Sequence, residues 1–134
     1  MFAKILTALF VASAVVAAPV ETENLDKRIT HDGQATYFNV GLGACGWTNV
    51  DSDYIVAVNS EQYGLNGYGG NCGQWLTITN TDNGKSVKAY VADECPTCSW
   101  GSLDLSPKVF SDLTDGNFDL GVFPISWHYN KKTN

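Results

Sequence analysis

Short stretches in which hydrophobic and polar residues alternate recur along most of the chain. Alternation places every second side chain on one face of an extended segment, which is typical of half-buried β-strands. The pattern predicts five strands, at residues 34–40, 54–59, 75–81, 85–93 and 122–129. The second of them, YIVAVN, is almost continuously apolar, so we expect both of its faces to be buried. The sequence DNG between the third and the fourth predicts a hairpin.

A shorter strand is predicted within the sequence SWGSLDLSPK. Alternation puts Leu103 and Leu105 on one face of this strand and Ser102 and Asp104 on the other. Ser106 follows directly and is a natural N-cap, so the most convincing helical segment begins here. The elements together predict an all-β barrel or sandwich with one short helix.

The first 28 residues are predicted to be absent from the mature protein. A basic residue, an apolar run too short to span a bilayer and a small-residue cleavage site indicate a secretory signal peptide over 1–18. The polar segment 19–28 ends in the pair Lys27-Arg28, and we interpret it as a propeptide; the alternative is a disordered N-terminal arm. We therefore expect a secreted, extracellular domain that comprises residues 29–134.

The charge balance excludes some classes of partner. The chain has 8 basic and 14 acidic residues and a net charge of −6. An acidic surface is a poor match for nucleic acids or anionic membranes, whereas neutral or cationic polymers remain as partners.

Neither His31 nor His128 lies in a serine- or cysteine-nucleophile signature, and no glycine-rich phosphate loop opens a helix. The sequence therefore disfavours a serine or cysteine hydrolase and a nucleotide-binding protein.

Four cysteines, Cys45, Cys72, Cys95 and Cys98, lie in the predicted mature domain. An even number of cysteines in a secreted chain indicates two disulfides, for which three pairings are possible. A four-cysteine zinc site is the alternative, but Cys45 and Cys72 lack the paired spacing of such sites. We expect disulfides, and no metal or other cofactor.

Three motifs in a fixed order, GQATYFNVGLGACG, VADECPTC and GSLDLSPKVF, resemble a known domain over residues 33–129. It is the domain shared by expansins, loosenins, rare lipoprotein A, barwin and the barwin-like endoglucanases. The likeness is greatest to loosenins, short fungal expansin-like proteins without the second domain of true expansins. The resemblance implies a monomeric, six-stranded double-psi β-barrel with one short helix. It also favours the disulfide pairs Cys45–Cys72 and Cys95–Cys98.

The resemblance further implies a polysaccharide-binding groove across the barrel. Asp104 matches the aspartate that expansins require for loosening and that related endoglucanases and lytic transglycosylases use as a general acid. Thr36 and Asp93 match the threonine and the second aspartate that line the groove. Two carboxylates in a partly buried groove raise one pKa by burial and repulsion, which keeps a proton available. The alternatives are helix capping for Asp104 and a turn position for Asp93.

Two departures from the family pattern change the functional expectation. The barwin-like endoglucanases carry their catalytic base in the first strand at the position of Asn39, and an amide cannot take a proton from water. An aromatic residue of the bacterial expansin groove is replaced by Cys95. Tyr37, Trp47 and Trp100 are candidates to provide the missing ring, because an aromatic face packs on a sugar without requiring charge.

The sequence thus predicts a protein that binds cell-wall polysaccharide, such as cellulose, chitin or a related glucan, and loosens it without hydrolysis. A lytic transglycosylase or a weak endoglucanase on the same barrel is one alternative. Another is an inhibitor of papain-like cysteine proteases, because GACGWTN and CPTC also resemble motifs of small secreted inhibitors with this barrel. In an inhibitor, rigid disulfide-bonded loops would contact the protease and Asp104 would be dispensable.

Overall fold

A computed structural model of the chain describes residues 29–64 and 71–130. The predicted signal peptide and propeptide lie outside the described residues. Within the described part, no helix is both long enough and apolar enough to cross a membrane.

Six strands close into a barrel in the order β1-β5-β2-β4-β3-β6. The β1–β5 and β2–β4 pairs are parallel, and the other pairs are antiparallel. The strands are β1 (His31–Tyr37), β2 (Ile55–Asn59), β3 (Trp75–Asn80), β4 (Ser86–Cys95), β5 (Leu103–Leu105) and β6 (Phe123–Tyr129). The helices are the single turn α1 (Ser60–Tyr63), the longer α2 (Pro107–Thr114) and a short 3-10 helix (Phe118–Leu120). This architecture confirms the predicted six-stranded barrel with one short helix.

The core fills the barrel with alternate side chains of the strands and with one face of α2. Every residue of β2 is buried, as its apolar run predicts. In β5, Leu103 and Leu105 are buried and Asp104 between them is only partly so. Helix α2 begins where expected, because the Ser106 hydroxyl accepts a hydrogen bond from the amide of Val109 at 3.3 Å.

The first strand begins and ends three residues earlier than the alternation predicts, at 31–37 rather than 34–40. Pairing with β6 extends the strand toward its N-terminus, since His31 lies opposite Trp127. At the other end, Tyr37 is the last residue of β1 that pairs with β5, because β5 is short and ends at Leu105. The pattern beyond that point has no strand to pair with, so the prediction was wrong at both ends.

Two glycines allow β1 to pass very close to the turn that precedes β5. A Cβ atom on Gly33 would lie 2.2 Å from the carbonyl oxygen of Gly101, and one on Gly101 would lie 2.1 Å from the carbonyl oxygen of Asp32. Gly101 also has a φ of +81°, which side chains rarely adopt. This close approach places Ser102 beside β1, where its hydroxyl accepts a hydrogen bond from the amide of Gln34 at 3.1 Å.

Two disulfides join Cys45 to Cys72 and Cys95 to Cys98, the pairs that the resemblance implies. The first ties the loop after β1 to the segment that leads into β3. The second closes a tight turn at the end of β4. No free cysteine is present in the described part of the chain.

Candidate functional site

Four residues form a row across the outer surface of the barrel, each on a different strand. Thr36 of β1 pairs with Asp104 of β5, Asp104 pairs with Ala57 of β2, and Ala57 pairs with Asp93 of β4. Neighbouring strands lie about 4.8 Å apart, so the row spans about 14 Å. The side chain of Ala57, between the two carboxylates, is small and buried. The structure therefore brings together the predicted site residues Thr36, Asp104 and Asp93.

Asp104 is partly buried in this row and is bonded to its neighbour. The hydroxyl of Thr36 donates a hydrogen bond to Asp104 Oδ1 at 2.9 Å. Burial raises the pKa of the Asp104 carboxyl above its ordinary value; the Thr36 hydrogen bond opposes this rise and the negative charge of Asp93 adds to it. Asp104 therefore retains its proton to a higher pH than an exposed aspartate.

Asp93 reaches the same surface because the register between β2 and β4 shifts just before Ala57. The shift skips Ala92, so the side chain that faces outward beside Ala57 is the carboxylate. Asp93 Oδ1 accepts hydrogen bonds from the backbone amides of Ala44 and Glu94, both at 2.8 Å. Asp93 is thus a strand residue rather than a turn residue, and it fastens the loop after β1 to one end of the row.

A cavity of about 250 Å³ opens on the other side of Asp104. Its walls come from β1, from β5 with the preceding turn, and from the turn closed by the second disulfide. It is lined by Gln34, Thr36, Cys95, Thr97, Cys98, Ser99, Ser102, Leu103 and Asp104. Apart from the disulfide and Leu103, this lining consists of hydroxyl, amide and carboxyl groups, which suits a ligand rich in hydroxyl groups.

Several of these lining residues were not among the predicted site residues. Gln34 lies two positions before Thr36, and Ser102 two positions before Asp104, so strand alternation already puts each pair on one face. That signal was available in the sequence. Thr97 and Ser99 gave no such signal, because their place depends on how the disulfide-closed turn folds back over β5.

The three candidate aromatic residues lie in different places. Trp100 is 60% exposed and follows the cavity-lining residue Ser99, and its ring centroid lies 6.4 Å from that of His31. Trp47 is 44% exposed, and its ring centroid lies 6.1 Å from that of Tyr90, beyond the Asp93 end of the row. Tyr37 follows Thr36 in the strand and therefore points away from the row.

The ring of Tyr37 packs against the rings of Phe110 and Phe118, with centroid distances of 4.6 and 5.1 Å. These contacts join the end of β1 to α2 and to the 3-10 helix. The structure therefore does not bring Tyr37 together with Asp104. None of the three candidate aromatic residues is among those that line the cavity.

Among residues 29–64 and 71–130, no group of three or more histidine, cysteine, aspartate or glutamate side chains is arranged to hold a metal ion.

Comparisons with known proteins place this barrel among characterised relatives. No protein-family model matches the chain. The chain is 30% identical over 102 residues to the papain inhibitor of Streptomyces mobaraensis, an alignment that covers 72% of this chain and 69% of the inhibitor. It is 34% identical over 105 residues to the allergen Asp f 7 of Aspergillus fumigatus, of whose length it spans only 36%.

Solved structures show the same fold. The Streptomyces papain inhibitor superimposes with a TM-score of 0.65 at 27% identity, covering 76% of this chain and 94% of the inhibitor. A mutant expansin from Clavibacter michiganensis, solved in complex with cellohexaose, also superimposes with a TM-score of 0.65 at 32% identity. That match covers 79% of this chain and 52% of the expansin. The chain belongs to the double-psi β-barrel family that includes the Streptomyces papain inhibitor and the Clavibacter expansin.

Proposed function

We propose that this chain is a secreted, monomeric, expansin-like protein that binds cell-wall polysaccharide along the row from Thr36 to Asp93 and loosens it without hydrolysis. The observation that supports this proposal most directly is the row itself, with the hydroxyl-lined cavity beside it. A linear polymer of sugars offers a hydroxyl-rich strip that matches such a row in length and chemistry.

Loosening requires groups that compete with the hydrogen bonds between polymer chains. A carboxyl group donates one hydrogen bond when protonated and only accepts when ionised. Because burial raises the pKa of Asp104, this residue keeps its proton, and with it the donor role, to a higher pH than an exposed aspartate does. Asp104 would therefore exchange hydrogen bonds with a sugar hydroxyl and separate it from the neighbouring chain.

Hydrolysis would require a second group to act on the opposite side of the glycosidic bond. Asn39 stands where the resemblance puts the base of the endoglucanases, and its amide cannot accept a proton from water. We therefore propose that Asp104 acts without a catalytic base. A lytic transglycosylase can operate with a single acid/base group, so soluble products must be measured directly.

The expansin relative supports polysaccharide as the ligand class. Its structure holds cellohexaose, a linear oligosaccharide, and its sequence is 32% identical to that of this chain. The chain spans about half of that expansin, so the activity of the whole expansin is proposed here only for its barrel.

A second candidate function is inhibition of papain-like cysteine proteases. It is favoured by the papain inhibitor, 94% of which is covered by the structural match. An inhibitor would present loops made rigid by the Cys45–Cys72 and Cys95–Cys98 disulfides. Asp104 would have no part in this activity, which separates the two candidates.

The test measures binding, loosening and inhibition with the same protein preparations. The purified protein, an Asp104→Ala variant and an Asp119→Asn control are incubated with insoluble cellulose, chitin and peptidoglycan. Asp119 is exposed on the 3-10 helix and lies outside the row and the cavity lining. We expect about ten-fold weaker binding and no fibre weakening for Asp104→Ala, unchanged behaviour for Asp119→Asn, and no soluble sugar from any sample.

Three other outcomes would contradict the proposal. Soluble fragments that depend on Asp104 would identify an enzyme. If the wild type and Asp104→Ala bind and loosen the polymers equally, the row that contains Asp104 has no part in the mechanism. Failure to bind any polymer, together with equal inhibition of papain by both proteins, would identify the protease inhibitor.

A further inference from the structure

We propose that the groove prefers a β-linked polymer of hexosamine units with free amino groups, and that Asp104 binds one of the protonated amines. This inference rests on the proposed function and names the class of polysaccharide.

The cavity beside Asp104 contains a single charged side chain. The other polar side chains of its lining are neutral, those of Gln34, Thr97, Ser99 and Ser102 among them. Neutral hydroxyl and amide groups suit the hydroxyl groups of a sugar ring, whatever the sugar. The carboxylate of Asp104 is therefore the group that can discriminate between sugars that differ in one charged substituent.

Asp104 has one oxygen available for such a contact. Its Oδ1 accepts the hydrogen bond from Thr36, whereas Oδ2 makes no hydrogen bond with any described residue. A partly buried carboxylate is stabilised by further donors, and a charged donor gives a stronger hydrogen bond than a hydroxyl. A sugar ammonium group would satisfy Oδ2 better than the hydroxyl of glucose or the acetamide of an acetylated amino sugar.

The described residues supply no cation of their own to either carboxylate of the row. Of the three lysines among them, Lys85 pairs with Asp115 and Lys108 pairs with Asp112. No basic side chain in the described part forms a salt bridge with Asp93 or Asp104. The groove therefore carries uncompensated negative charge, and the chain as a whole has a net charge of −6.

The second carboxylate lies two strands away from the first, at a backbone distance of about 10 Å. A polymer with an amine on each sugar unit can place positive charge near both positions at once. An anionic polymer would be repelled at both, and a neutral polymer would gain no Coulombic attraction at either. The spacing therefore favours a polyamine chain over a single charged group.

The preference can be measured with three hexasaccharides that share a β-1,4 hexose backbone and differ only at carbon 2. They are the glucosamine hexamer, the N-acetylglucosamine hexamer and cellohexaose, titrated calorimetrically at pH 6 in low and high salt. We expect the glucosamine hexamer to bind at least about ten-fold more tightly than the other two at low salt. This advantage should shrink in high salt, because part of it is electrostatic attraction.

Three variants test whether the preference depends on the Asp104 carboxylate itself, rather than on the net charge of the protein or on a change in its folding. Asp104→Asn should lose most of the preference, whereas Asp119→Asn changes the net charge equally and should retain it. Thr36→Val removes the hydrogen bond that opposes the rise in the Asp104 pKa, so its preference should disappear at a higher pH than that of the wild type. Lowering the pH provides an independent readout. The amines of the glucosamine hexamer stay protonated, so a decrease in the preference for this hexamer reports protonation of the Asp104 carboxylate.

Equal affinities for the three hexamers would overturn the inference, while Asp104-dependent loosening of cellulose or chitin would leave the proposed function intact. Equal losses in Asp104→Asn and Asp119→Asn would also overturn it, because net charge alone would then explain the preference. Failure to bind any hexamer or any insoluble polymer would reject the proposed function as well.

Discussion

The carboxyl group of Asp104 is shielded from water on one side and bonded to Thr36 on the other. Burial raises its pKa, which means that the folded state binds a proton at this position more readily than the unfolded chain does. The ionised form is therefore less favourable in the folded state than in the unfolded one. The ionised Asp104 carboxylate therefore reduces the stability of the fold at neutral pH.

We predict that Asp104→Asn is more stable than the wild type at pH 7. The stabilising effect of a protonated Asp104 is complete below the pKa of an unfolded aspartate, about 3.9, and is lost as the pH rises through the higher folded pKa. The asparagine does not titrate, so the two urea midpoints should converge near pH 3 and separate toward pH 7. A variant that is less stable than the wild type at pH 7 would show that the ionised carboxylate stabilises the fold.

At the scale of elements, the turn that precedes β5 is held by a buried side-chain network around Gln62 of α1. Its Oε1 accepts hydrogen bonds from Asn59 Nδ2 at 2.7 Å and from the amide of Gly101 at 2.9 Å. A backbone amide can only donate, so Gln62 Nε2 is the donor to His31 Nδ1, 2.9 Å away. Trp127 Nε1 donates to the carbonyl of Gly101 at 2.8 Å. The cavity wall is thus held by α1, β1 and β6 together.

Gln62→Leu should destabilise the protein by about 2 kcal/mol, because it leaves the amide of Gly101 and one N–H group of the Asn59 side chain without an acceptor. Urea unfolding monitored by circular dichroism measures this loss. Gln34→Leu is the matched control: Gln34 is exposed and its side chain makes no hydrogen bond within the described residues, so we expect a change below about 0.5 kcal/mol. Equal effects of the two substitutions would contradict a structural role of the network.

The same network predicts a loss of stability in mild acid. Burial lowers the pKa of His31, an effect that the charge of Asp32 opposes, and the hydrogen bond from Gln62 requires an unprotonated Nδ1. The contribution of His31 is complete above the unfolded pKa of about 6.5 and is lost as the pH falls through the lower folded value. His31→Gln keeps an acceptor without a charge, so its urea midpoint should fall less than that of the wild type between pH 7 and 5. Parallel pH profiles would contradict this role of His31.

The elements could be predicted from the sequence more fully than the site could. The alternation of Leu103, Asp104 and Leu105, and the capping signal at Ser106, are local patterns, and the structure confirms both. The shift of β1 was not predictable, because it depends on which strands pair with it. Without the resemblance, nothing local indicates that Asp93 and Asp104, on strands separated by β2, lie in one row.

At the scale of the whole molecule, the two disulfides should contribute unequally to stability. Cys45–Cys72 spans 27 positions of sequence and Cys95–Cys98 spans 3. In the chain-entropy model the longer loop stabilises by about 3.5 kcal/mol and the shorter by about 2 kcal/mol, because the longer loop restricts the unfolded chain more. Guanidinium unfolding of the two cysteine-to-serine double variants tests this difference. Equal losses, or a larger loss for the Cys95–Cys98 pair, would contradict the entropic explanation.

The four tryptophans of the chain occupy different environments. Trp127 is 1% exposed in the core, Trp47 and Trp75 are about half exposed, and Trp100, which follows the cavity-lining residue Ser99, is 60% exposed. Indole fluorescence shifts to longer wavelength in water and is quenched by solutes that can reach the ring, so the buried tryptophan and the exposed ones are optically distinguishable. A polysaccharide that fills the cavity and extends over Trp100 would shield this ring from a soluble quencher and leave Trp127 unaffected. The protein therefore carries an intrinsic optical reporter that can follow binding in real time without a label.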